Sequence, residues 1–197
     1  MDMDNKRLNS QLKFIIELDR MKTIERQSPI YAGGRRENDA EHSWHISLMA
    51  LILREYAAEP VDMGRVLEML TVHDLIEIYA GDTFAYDVVG NEGKAARESA
   101  AADRLYAILP EDQGRYYRSL WEEFDAMETP DSRFAASLDR LQPLLSNWLN
   151  EGGTWRDHGV KTEQVYRRME PLKTGAPRLW ELADHIIRAS VERGYIQ

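Results

Sequence analysis

His73 and Asp74 stand side by side at the end of the apolar run Val66-Leu67-Glu68-Met69-Leu70-Thr71-Val72. Two ionisable side chains on a segment that reads as a buried helix need a partner. Desolvating an unpaired carboxylate costs several kcal/mol or forces it to take up a proton. A bound cation removes that cost.

Other groups fall at useful spacings around the doublet. Glu77 lies one turn beyond His73 and three residues after Asp74, so it projects to the same side of a helix. Asp82 begins the following loop, from which it can reach back to the same point. On spacing alone, Glu77 also reads as a solvated helix residue and Asp82 as an Asx-type turn residue. His42 and His45, three apart, share a helical face, which fits a two-histidine clamp but not the zinc-protease pattern, whose spacing is four with an intervening Glu. Either histidine can equally be structural. Asp139 interrupts the apolar stretch Ser137-Leu138-Asp139-Arg140-Leu141-Gln142-Pro143-Leu144-Leu145. Pro143 cannot donate to the Asp139 carbonyl and crowds it, which predicts a bend where that carboxylate projects. The alternative is a surface Asp139–Arg140 pair beside a tolerated proline kink.

These residues must be positioned by helices, because apolar residues recur at three- and four-residue spacing and no stretch alternates strictly. The chain is expected to be all-α. The pattern predicts helices over about 8–24, with Leu8, Leu12, Ile15, Ile16 and Ile24 inward, and about 39–57, capped by Asn38 or Asp39, with Trp44, Leu48, Leu51 and Ile52 along it. A third, about 62–79, carries the doublet and stops before Gly81, where a left-handed residue is expected. Further helices are predicted over about 92–109, 111–127, 130–150 (Thr129 as cap, Pro130 in the first turn), 162–170 and 177–193, the last two separated by a Thr174-Gly175 break. Loops remain at 27–37 and 80–91.

The 197 residues contain no linker-like tract and fit one domain with one core. A charged fraction of 30% and an apolar fraction of 43% are those of a folded globular chain. With no cysteine, any metal must be held by His, Asp and Glu. The acidic start Met1-Asp2-Met3-Asp4 and the lack of a long apolar run predict a cytoplasmic protein that does not engage a membrane. A net charge of −9 argues against nucleic acid as the main partner while leaving room for a small anion in a locally basic pocket.

The order His42, then His73-Asp74, then Asp139 resembles the metal-binding signature of the HD-domain phosphohydrolase superfamily. The strings Arg36-Glu37-Asn38-Asp39-Ala40-Glu41-His42-Ser43, His73-Asp74-Leu75-Ile76-Glu77-Ile78-Tyr79-Ala80-Gly81-Asp82 and Leu138-Asp139-Arg140-Leu141-Gln142-Pro143 are similar to its 5'-deoxynucleotidase branch. The match spans about residues 10–150. It implies an HD-domain helical bundle of seven or eight helices, occupying 1–197, with the C-terminal helices at about 160–193 packed on the core. It also implies His42, His73, Asp74 and Asp139 as ligands of one divalent ion, Glu77 and Asp82 as catalytic or substrate-contacting carboxylates, and a homodimer. His45 has no ligand role in that signature. The branch's early Arg-Trp pair, which contacts phosphate and sugar, is matched here by Arg26 followed by Gln27.

Two imidazoles with two carboxylates suit Mn, Fe, Co, Ni or Zn better than Mg, which prefers oxygen octahedra. Four protein ligands leave positions for water and a phosphate oxygen, the arrangement for metal-assisted hydrolysis. Glu77 is then the candidate for taking the water's proton, and Asp82 for orienting the substrate or protonating the leaving 5'-oxygen. Arg26, Arg35 and Arg36 are the candidates for holding phosphate. The expected activity is hydrolysis of (deoxy)nucleoside 5'-monophosphates. Phosphodiester or pyrophosphate cleavage, or a non-catalytic metal-stapled scaffold, are the alternatives.

Overall fold

The computed structural model describes residues 5–87 and 90–197; the acidic Met1–Asp4 start lies outside it. Helix α1, Lys6–Leu18, is capped by Asn5, whose side chain accepts from the Leu8 amide, and continues as a 3-10 turn over Asp19–Thr23. Its inward stripe is Phe14, Leu18 and Met21, at i, i+4 and i+7. Ile15 and Ile16, expected inside, are 61% and 62% exposed.

Strands β1, Glu25–Pro29, and β2, Arg36–Asn38, pair antiparallel, Glu25 opposite Asn38. This hairpin replaces part of the expected irregular loop. Strands this short and this polar leave no alternation to read. Asn38 then opens α2, Asp39–Leu53, through a capping box with Glu41. Residues Asp39, His42, Ile46, Met49 and Ala50 of α2 are buried. Trp44, Leu48, Leu51 and Ile52 are instead 64%, 38%, 51% and 71% exposed. Both faces of α2 carry an apolar stripe, so periodicity cannot select one, and the helix turns inward the face that holds its polar residues.

Helix α3, Met63–Val72, starts on an Asp62 cap and is followed by α4, Glu77–Ala80. The single helix expected here is interrupted. Amides of Leu75, Glu77, Ile78 and Tyr79 bond to carbonyls three residues back, which tightens the chain over the doublet. Gly81 closes α4 at φ 77°, ψ 150°, a positive φ as expected but outside the left-handed helical well. Helices α5, Lys94–Tyr106, and α6, Glu111–Ala126, follow.

Helix α7, Pro130–Leu149, capped by Thr129, runs uninterrupted through Pro143. It packs on α2, α3, α6 and β1, and on the later helices α8 (Gly153–Asp157), α9 (Thr162–Met169), α10 (Leu172–Gly175) and α11 (Pro177–Glu192). The expected break at Thr174-Gly175 is instead the end of α10, where the backbone lies against α7. A Cβ on Gly175 would overlap the Arg133 carbonyl and the Ser137 hydroxyl.

Two apolar clusters form the interior. One gathers Ile46, Val66, Leu70, Phe134, Leu138 and Trp155, the other Phe14, Met69, Val72, Ile76, Leu105 and Leu120. Helix α3 faces both, so its last turn delivers His73 to the seam between them.

Candidate metal centre

Three separate elements bring the predicted ligands together: His42 from α2, His73 and Asp74 from the turn after α3, and Asp139 from α7. His42 Nε2 lies 3.0 Å from Asp139 Oδ1. His73 Nε2 lies 3.0 Å from Asp74 Oδ2 and 3.6 Å from Asp139 Oδ1. One donor atom each from His42, His73 and Asp139 falls within a single 4.8 Å cluster.

Hydrogen bonds behind the rings decide where the lone pairs point. His73 Nδ1 is 2.9 Å from the Leu70 carbonyl, an acceptor only, so Nδ1 donates there and Nε2 is the atom left to face the carboxylates. His42 Nδ1 is 3.2 Å from Gln142 Oε1 and 3.5 Å from Glu37. Gln142 Nε2 donates to both Glu37 carboxylate oxygens, at 2.8 and 3.1 Å, which fixes the amide with its oxygen toward His42. Both imidazoles thus direct Nε2 at one place. His73 Nε2 has no hydrogen-bond partner, although it is buried. A divalent cation fits this set: it would replace protons at the two Nε2 atoms and join them to the carboxylates they face.

The titration of these groups reports the same demand for positive charge. Burial lowers the His73 imidazole, but the Asp74 and Asp139 carboxylates overcome it and raise the group to about 10. Burial opposes ionisation of Asp139, yet the imidazoles of His42 and His73 that face it hold it well below the usual carboxylate range.

One wall of the centre is acidic. Arg26, from β1, donates to Asp74 Oδ2 at 2.6 Å and approaches Asp39 Oδ1 at 3.3 Å. Asp39 is fully buried, and burial and the Asp74 charge, against the pull of Arg26, lift its carboxyl to about 7. Glu77, the first residue of α4, is buried with Oε2 unpartnered; burial and the charges of Asp74 and Asp39 raise it well above its ordinary value. Asp82 is raised as well, first by burial. The other wall carries Arg140 and Arg168, each with one nitrogen 3.4 Å from Asp139 Oδ2. Between the walls lies a cavity of about 210 Å³, lined by Arg26, Gln27, Glu77, Asp82, Arg140 and Arg168, among others.

Of the predicted site residues, His42, His73, Asp74, Asp139, Glu77, Asp82 and Arg26 therefore meet at one place. Arg35 and Arg36 do not. Arg35 forms a two-pronged pair with Glu41 at 2.7 Å on the surface, and Arg36 is exposed on β2. The hairpin turns both outward while Glu37, between Arg36 and Asn38, points in. His45 packs at a tilt against Tyr31, ring centroids 4.8 Å apart, outside the cluster. Reading the sequence missed Asp39, Glu37 and Gln142, and treated Arg140 as a surface partner of Asp139. That pair exists, but its side chains are only 11% and 8% exposed. Glu37, Asp39, Arg140 and Gln142 all lie inside the motif strings, the one signal that marks them; nothing in the sequence marks Arg168.

The model of a family described as "HD domain" matches residues 18–180. Bovine 5'-deoxynucleotidase HDDC2 is 27% identical over 144 residues, 73% of this chain and 69% of the relative. Its human counterpart is 26% identical over 137 residues, 69% of this chain and 66% of that protein. The chain thus spans about two thirds of the length of these relatives. A crystal structure of a "Predicted metal-dependent phosphohydrolase" from Magnetospirillum magnetotacticum MS-1 superposes with a TM-score of 0.93 at 48% identity, covering 99% of this chain and 98% of that one. The family match over most of the chain, on a helical fold that gathers the histidine-aspartate residues at one point, makes this protein a member of the HD domain family.

Proposed function

We propose that the protein is a metal-dependent phosphohydrolase that removes the 5'-phosphate of nucleoside or deoxynucleoside monophosphates, with one divalent ion held by His42, His73, Asp74 and Asp139. The observation that carries this reading is the buried, unpartnered His73 Nε2 facing Asp74 and Asp139 beside an open cavity. The neighbouring structure and the 5'-deoxynucleotidase relatives support it. The mixed nitrogen and oxygen donors favour Mn, Fe, Co, Ni or Zn over Mg. An ion held there would lower the pKa of water and draw off charge developing on the phosphoryl group.

The remaining chemistry belongs to side chains. Glu77 accepts a proton from the attacking water. Burial and the charges of Asp74 and Asp39 raise its carboxyl well above its ordinary value, the direction that strengthens a carboxylate as a base. Asp82, on the same cavity, orients the ester or supplies the proton that the leaving 5'-oxygen takes as its bond to phosphorus breaks. Arg26 balances Asp74 and Asp39 and so holds the acidic wall together. Gln27 lines the cavity where the branch has Trp, so ribose and deoxyribose substrates belong in one comparison. A purely structural metal would have no use for an adjacent cavity with buried carboxylates. We also propose that two copies of the chain associate; the exposed stripe on α2 supports this.

The test is phosphate release from a panel of nucleoside 5'-mono-, di- and cyclic esters with Mn or Co. Monophosphates should turn over, and Glu77→Gln should slow them by roughly 10²-fold or more with metal content unchanged. Turnover of diesters or pyrophosphates alone would replace the monoester reading with one of those activities. No release from any ester would remove the hydrolase.

A further inference from the structure

We propose that Arg140 and Arg168 form an anion-binding subsite beside the metal ligands that receives the phosphate dianion of the substrate. This takes from the preceding reading only that Asp139 serves a cation; the sequence points instead to Arg26, Arg35 and Arg36 for the phosphate.

Asp139 divides the cavity. Its Oδ1 faces His42 and His73, at 3.0 and 3.6 Å, and its Oδ2 faces the two guanidinium groups. Each arginine is 3.4 Å from Oδ2, at the outer edge of hydrogen bonding, so neither is held tightly by it. A guanidinium offers five N–H donors. Arg140 gives one more, to the Ala136 carbonyl at 2.9 Å, and Arg168 makes no other hydrogen bond among the described residues. The unused donors belong to side chains that line both the 210 Å³ cavity and a neighbouring one shared with Tyr86, Asn91 and Arg167.

Charge points the same way. Two guanidinium groups near one carboxylate oxygen leave an excess of positive charge at that place. Once the charge of Asp139 is committed to a cation, that excess grows. On the opposite wall the charge of Arg26 is already paired, through Nη1, with Asp74 at 2.6 Å and Asp39 at 3.3 Å, amid Glu77 and Asp82, although its buried Nε has no partner. Lys94, also on the cavity, is paired with Glu98 at 3.4 Å. A phosphate dianion beside Arg140 and Arg168 would meet two planar guanidinium forks, a geometry that matches phosphate oxygens. Glu77 and Asp82 line the same cavity.

Calorimetric titration of inorganic phosphate into the metal-loaded full chain tests this. Arg140→Gln and Arg168→Gln should each weaken binding at least tenfold, Arg140→Lys less, and the exposed Arg115→Gln not at all, with metal content unchanged in all four. Wild-type affinity in both glutamine variants would overturn the subsite, as would equal loss in Arg115→Gln. A third of the Arg168 side chain is exposed, so its variant decides the matter if Arg140→Gln does not fold. Arginine-dependent phosphate binding without turnover of any ester would remove the hydrolase and keep the subsite. Turnover with arginine-independent phosphate binding would do the reverse.

Discussion

A proton and a cation compete for His73. Its imidazole is raised to about 10 by Asp74 and Asp139 against the effect of burial, so near pH 7 it is protonated until a cation displaces that proton. Cation affinity should therefore rise as pH increases from 7 toward 9, by up to about tenfold per unit for one proton released. Titration of Mn in two buffers of different protonation enthalpy counts that proton. A pH-independent affinity would mean that the imidazole is already neutral and that the carboxylates take no charge from it. The same accounting gives Glu37 and Gln142 a part although neither offers a ligand atom to the cluster. Together they hold the proton of His42 on Nδ1 and keep Nε2 for the site.

Helix α7 is the piece on which the site depends most. It supplies Asp139, Arg140 and Gln142 from a single turn and carries α10 against its first half. The close approach at Gly175 leaves no room for a methyl group beside the Arg133 carbonyl. Gly175→Ala should lower stability by about 1–3 kcal/mol through overpacking, read as a lower urea midpoint with unchanged slope. An unaltered midpoint would show that α10 can move away from α7 at little cost. The turn between α3 and α4 has a different task. Across its i→i+3 bonds it holds Asp74 and Glu77 so that each offers an oxygen within 4.8 Å of one from Asp39.

At the level of assembly, α2 presents Trp44, Leu48, Leu51 and Ile52 to solvent at i, i+4, i+7 and i+8. A helix apolar on every side is one that is covered on every side, and a contiguous apolar stripe on a folded chain marks an interaction surface. Light scattering after size exclusion should give twice the chain mass, and Ile52→Glu should return it to one. A wild-type protein that is already monomeric would leave the stripe unexplained by self-association. No helix among the described residues is long and apolar enough to cross a membrane.

Local physics made much of this legible in the linear chain. Caps at Asn38 and Thr129, positive φ at Gly81, three- and four-residue periodicity and the order of His42, His73, Asp74 and Asp139 are all written within short windows, because a helix is built from contacts only a turn apart. Contacts that join distant segments were not. Which face of α2 turns inward depended on what α3 and α7 offered it. The β1–β2 pairing arose from backbone hydrogen bonds that side-chain patterns do not encode. Arg168 reached Asp139 from 29 residues away, and Arg35 and Arg36 were turned outward by a two-strand ladder. Periodicity reports that a surface is apolar; packing alone assigns its partner, since burial depends on the shape and charge of what arrives from elsewhere in the chain.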